Sequence, residues 1–119
     1  MTLAKTDLHK ELKRLLESHE GPEQAITARE LARMFGTSDR IIRLVIRELI
    51  RGDGDGANGL PVASSVENPP GYFIITSREQ AEHYAASIKS RLVEDALRRR
   101  DFRRAADQYL MPSQQGVLL

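Results

Sequence analysis

The chain has 119 residues, with 18 Lys and Arg against 17 Asp and Glu for a formal net charge of +1; hydrophobic residues make up 40%, aromatics 5%, and cysteine is absent. That length suits one domain, or one domain with an appendage, built around an aliphatic core in which Phe35, Tyr72, Phe73 and Tyr84 are the candidate large members. Absence of cysteine excludes a disulfide framework and cysteine-based metal or nucleophile chemistry. With no apolar run of membrane-spanning length and no signal-peptide core at the N-terminus, a cytoplasmic protein is the expectation.

The first predicted element is an amphipathic helix over residues 3–18, capped by Thr2 or Thr6. Leu8, Leu12, Leu15 and Leu16 point inward, and His9, Lys10, Lys13, Arg14 and Glu17 outward. Gly21-Pro22 ends it. Ala25-Ile26-Thr27 then reads as an extended piece able to pair as a minimal strand. Thr27 and Glu30 form a capping box, with the hydroxyl taking a first-turn amide and the carboxylate reaching back to the amide of Thr27, so a helix starts at Ala28. Leu31, Ala32 and Phe35 give it an apolar stripe. Gly36 stands where a left-handed C-terminal cap is needed, with Ser38 or Thr37 placed to cap the next helix.

That next helix, Ser38–Arg51, divides by face. At about 100° per residue, Ile42, Val45, Ile46 and Leu49 gather on one side with Ile41 flanking, while Arg40, Arg43, Arg47 and Arg51 fall within roughly an 80° arc opposite. Leu44, beside the arginines, either touches a ligand or covers an edge of the core, with the core preferred. The two helices and their corner resemble the helix-turn-helix family of DNA-binding motifs. That pattern asks for a small residue, a Gly four later, and branched apolar residues six and nine beyond the Gly; Ala32, Gly36, Ile42 and Val45 fill these places.

Four glycines in the eight residues Gly52–Gly59 argue for a flexible loop. Asp53 and Asp55 hint at a calcium loop, but Ala57 and Asn58 occupy positions that such a loop gives to a ligand and to Gly, and no Glu closes it. Leu60–Val66 and Tyr72–Thr76 read as strands, and Glu67-Asn68-Pro69-Pro70-Gly71 between them as a hairpin tip. Helix, short strand, helix, helix and hairpin is the order of the winged-helix family, which the chain resembles from about Leu8 to Thr76. The hairpin residues Leu60-Pro61-Val62-Ala63-Ser64-Ser65 and Gly71-Tyr72-Phe73 are most similar to those of small phage and bacterial winged-helix proteins, with the glycine-rich loop as an insertion.

Thr76-Ser77-Arg78-Glu79 reads as a second capping box. It opens a helix with an apolar face of Ala81, Tyr84, Ala85, Ile88, Leu92 and Ala96, continued by Phe102, Ala105, Ala106, Tyr109 and Leu110. Unbroken to Leu110 it would run about 50 Å. Either it breaks near Arg98–Asp101 or its far half needs another surface, through pairing with a second copy, which is preferred, or by folding back on the first helix. Pro112 ends it, and residues 111–119 read as a disordered tail. Within that tail Gln115, Leu118 and Leu119 resemble the short peptides by which bacterial replication proteins dock on the sliding clamp; a frayed tail is the plainer reading.

The expected fold is mainly α with a small β-hairpin (α+β): a winged helix-turn-helix domain over 1–76, a C-terminal helical extension over 77–110 that serves for dimerisation, and a tail over 111–119. The resemblance implies a DNA-binding protein that inserts the 38–51 helix into the major groove of double-stranded DNA, as a transcription regulator or a phage-type replication or recombination accessory. Arg40 and Arg43 are placed to read guanine edges, Arg47 and Arg51 to meet phosphates, and Thr37 and Ser38 to add a hydroxyl or amide contact. Leu44 would meet a thymine methyl if it is not core. The hairpin tip has no cation, so a minor-groove contact falls to Asn68 or the backbone. The alternative is a protein-interaction module on the same scaffold without DNA. An enzyme is not expected, since His9, His19 and His83 are scattered and no triad, metal-ligand spacing, phosphate loop or cofactor motif is present.

Overall fold

The computed structural model describes residues 5–54 and 58–111. They form α1 (Lys5–Glu17), a 3₁₀ turn (Pro22–Gln24), α2 (Ala28–Phe35), α3 (Asp39–Arg51), the strands β1 (Val62–Ser65) and β2 (Gly71–Ile74), and α4 (Arg78–Tyr109). The protein is thus mainly helical with one small antiparallel hairpin and a long C-terminal helix. The described residues fall into two compact units, one up to Ala81 and one from Glu82 onward.

In the first unit, α1 buries Leu8, Leu12 and Leu16, spaced four residues apart, and half-buries Leu15. They meet Leu31 and Ala32 of α2 and Ile42, Val45 and Ile46 of α3, with Ile26, Leu60, Val62 and Ile74 closing the core from the hairpin side. Phe35 and Tyr72 pack partly buried against this cluster, whereas Phe73 is buried but not part of it and Tyr84 is half-exposed on α4. The first helix begins no later than Lys5, so Thr6 lies inside it rather than capping it, and Thr2 falls outside the described residues.

The extended piece after α1 pairs as expected. Ile26 and Tyr72 exchange backbone bonds of 2.9 and 2.7 Å, and upstream of them Gly21 N donates to Ile74 O at 2.9 Å and Ile74 N to His19 O at 2.8 Å. The other edge of β2 pairs with β1 in the register Val62↔Ile74 to Ser65↔Gly71. Gly71 is required at its place: it has φ +123°, and a Cβ there would collide with the backbone of Ile26 and Thr27. Leu60 N donates to Leu49 O at 2.9 Å, which fastens the hairpin's entry to the last turn of α3.

Both capping boxes differ from their expected form. Glu30 N donates to Thr27 Oγ1 at 3.1 Å, but the Glu30 carboxylate accepts from the Thr27 hydroxyl at 3.1 Å instead of reaching the Thr27 amide. The box ahead of α4 sits one residue later: Gln80 N donates to Ser77 Oγ at 3.1 Å, and Gln80 Oε1 takes the Thr76 amide at 2.9 Å, so Ser77 and Gln80 replace Thr76 and Glu79.

The fourth helix is continuous from Arg78 to Tyr109, 32 residues with neither Gly nor Pro, so the break considered near Arg98–Asp101 does not occur. Among the described residues it has no buried side chain. The glycine-rich segment has defined ends: Gly52 N donates to Glu48 O at 3.2 Å, and Asn58, with φ 63°, donates from Nδ2 to Asp53 Oδ2 at 2.7 Å. Asp55 and Ala57 lie outside the described residues. No helix among the described residues is long and apolar enough to cross a membrane.

Candidate nucleic-acid interface

The corner between α2 and α3 is set by three local interactions. Gly36 adopts φ 64°, ψ 39°, the left-handed conformation that ends α2. Thr37 N then donates to Ala32 O at 3.0 Å, and Ser38 Oγ accepts from Ile41 N at 3.2 Å to start α3. Because Ile42, Val45 and Ile46 are almost fully buried against α1 and α2, the rotation of α3 about its own axis is fixed, and the opposite face is turned to solvent.

Arg40, Arg43, Arg47 and Arg51 all lie exposed on that face. Asp39 stands one turn before Arg43, and Arg43 Nη2 lies 3.9 Å from Asp39 Oδ2; the contact is long, with the Arg43 side chain exposed and that of Asp39 partly so, and it holds Arg43 weakly. Among the described residues Arg40, Arg47 and Arg51 have no carboxylate at ion-pair distance. The other acid on α3, Glu48, faces away from the row: its Oε1 lies 3.1 Å from His9 Nε2 on α1, across 39 positions of sequence. The sequence placed His9 among outward residues of α1, and the structure corrects this. His9 is half-buried at the α1–α3 seam and holds there an acid of α3. The signal was available in principle, because Glu48 lies between the arginine and core arcs of α3, where a polar side chain of a neighbouring element comes within reach.

Leu44 does not cover the core. It is 47% exposed, and Ile50 on the opposite flank of the arginine row is 43% exposed, so the cationic face has an apolar residue on each side. Thr37 is half-buried with its amide committed to Ala32, which leaves its hydroxyl alone for an outside contact. Ser38 is exposed, and its Oγ still has an O–H to donate while it caps α3. Asn68 lies at the exposed hairpin tip between Ser65 and Gly71, apart in sequence and in element from the α3 row. Gln115, Leu118 and Leu119 lie outside the described residues. No group of three or more His, Cys, Asp or Glu suited to a metal ion occurs among the described residues.

Comparison with known protein families, curated proteins and solved structures finds no match to this chain.

Proposed function

We propose that the chain is a cytoplasmic winged helix-turn-helix protein that binds double-stranded DNA through α3, as a transcription regulator or a phage-type replication or recombination accessory. The observation that carries this is the arginine row. Four guanidinium groups share one exposed arc of a helix whose opposite side is locked into the core, and three of them, Arg43, Arg47 and Arg51, follow one another at i,i+4. Like charges at that spacing destabilise a helix by about 0.2–0.5 kcal/mol per pair. A solvated surface gains nothing from that arrangement, whereas a polyanion does. An α-helix fits the major groove, and its N-terminal residues come closest to base edges, so Arg40 and Arg43 read bases while Arg47 and Arg51 meet phosphates. Ser38 and the first amides of α3, which have no acceptor within the helix, suit a further phosphate. Leu44 adds an apolar contact for a thymine methyl.

A protein-interaction module on the same scaffold is favoured by one feature, the hairpin tip, whose residues 66–70 include Glu67 but no Lys or Arg and where Val66 is 99% exposed. Binding of a random duplex measured across a salt series separates the two. A steep linear fall of log K with log salt supports DNA binding, and no binding at low salt overturns it.

A further inference from the structure

We propose that α4 pairs with α4 of a second copy of this chain in an antiparallel coiled coil centred between Asp95 and Arg99. This does not rest on the DNA reading, and its tests contain no DNA. The helix is continuous over 32 residues and buries no side chain, while Leu92 is 64%, Phe102 71% and Tyr109 88% exposed. From Ala85 to Tyr109 an alternating spacing of three and four residues picks out one stripe: Ala85, Ile88, Leu92, Asp95, Arg99, Phe102, Ala106 and Tyr109. A repeat of about 3.5 residues is the seam of a left-handed coiled coil. Its two central members are charged, and with opposite sign.

That charge pair decides both partner and direction. Two copies laid parallel would set Asp95 against Asp95 and Arg99 against Arg99. Laid antiparallel about the midpoint of the stripe, each Asp95 faces Arg99 of the second copy, and the remaining layers match by size: Ala85 with Tyr109, Ile88 with Ala106, Leu92 with Phe102. Tyr109 and Ile88 each meet an alanine, which lets the outer layers interdigitate, and Leu92 with Phe102 gives each half of the seam one bulky apolar layer. The intrachain contact of Asp95 Oδ1 with Arg98 Nη1, 3.6 Å and largely exposed, leaves the second carboxylate oxygen for the crossing pair. Arg99 has no carboxylate at ion-pair distance among the described residues. Beside the seam Lys89 flanks Arg103 of the second copy, a repulsion that salt screens.

The test uses the full chain. Sedimentation velocity is expected to show a dimer. Asp95→Arg and Arg99→Asp, each alone, should weaken it by about 100-fold or more, because each leaves like charges facing in a closed layer. An equimolar mixture of the two variants should restore the dimer, since every Arg then meets an Asp. Direction is read by cross-linking: the chain has no cysteine, so a mixture of Leu92→Cys and Phe102→Cys chains should form a disulfide-linked heterodimer under mild oxidation, whereas Leu92→Cys alone should not, its two thiols standing about 15 Å apart along the axis. A monomer at every concentration, charge variants that stay dimeric, or efficient cross-linking of Leu92→Cys alone would overturn the proposal.

Discussion

Arg40 and Arg51 lie at opposite ends of α3, eleven residues and therefore about 16 Å apart along its axis, so their removal should leave different signatures. Both are exposed and outside the core, and truncating either should change stability by no more than about 0.5 kcal/mol. If α3 enters the major groove with its N-terminus foremost, Arg40→Ala loses a base contact worth about 1–3 kcal/mol, or roughly 5- to 150-fold, on the preferred duplex and much less on a scrambled one. Arg51→Ala loses a phosphate contact. It should lower affinity for both duplexes alike and reduce the slope of log K against log salt by about 0.9. Fluorescence anisotropy with a duplex selected from a random pool and its scrambled counterpart, over a salt series, measures both quantities, and thermal melting by circular dichroism checks that each variant is folded. Wild-type affinity, preference and slope in both variants would show that the arginine face does not meet DNA.

Two glycine substitutions should separate strain from collision. Gly36→Ala meets open space but keeps a left-handed φ of 64°, so it should cost about 1–2 kcal/mol in urea unfolding, while Gly71→Ala adds a clash with the Ile26 backbone and should cost more than Gly36→Ala. Equal losses would refute the role given to the Ile26–Tyr72 pairing. Ser38→Ala removes the acceptor for the Ile41 amide and should lower stability by about 1 kcal/mol, with Ser38→Asp retaining most of it by the same unfolding measurement. If DNA is bound by the paired form, the salt slope should fall from about 3.6 for two α3 helices to about 1.8 for one when Asp95→Arg separates the copies, the phosphate-contacting Arg47 and Arg51 contributing about 0.9 each; an unchanged slope would mean that a single copy binds.

Most of the fold was legible because the chain's signals are local and agree with one another. Gly36 with its left-handed φ, Ser38 as a cap, and Ile42, Val45 and Ile46 as one buried face were all readable from spacing, since each depends on residues within a turn or two. What escaped depends on neighbours distant in sequence. Leu44 could be assigned to the core only by knowing where α1 ends its cover, and the structure leaves it exposed beside the arginines. His9 looked solvated on the wheel of α1, yet the third helix brings Glu48 to within 3.1 Å of it. The box before α4 was misplaced by one residue because Thr76 and Ser77 are both good caps, and the choice falls to Gln80, which can reach back to the Thr76 amide where Glu79 does not.

A sequence shaped for stability alone tends to satisfy every local rule, and where it breaks one a cost is carried for another purpose. In the described residues the breaks concentrate in two helices. The leucines of α1 and most apolar residues of α2 and the hairpin strands are buried or half-buried, with Met34 and the tip residue Val66 as exceptions; α2 is capped at both ends, and no buried side-chain polar atom among the described residues lacks a partner. The third helix instead stacks three arginines at i,i+4 and exposes Leu44 and Ile50 beside them, although a Glu at position 47 would turn two repulsive pairs into attractive ones. The fourth keeps an apolar stripe in water and interrupts it with one acid and one base at mirrored places of the stripe, where an antiparallel copy would set them together. The two departures are of different chemical kinds, one cationic and one apolar with a self-complementary charge, and so call for different partners: a polyanion for α3 and a second copy of the chain for α4. A fold that presented only the first would carry a helix of 32 residues with nothing to cover it, and one that presented only the second would leave the arginine row unexplained.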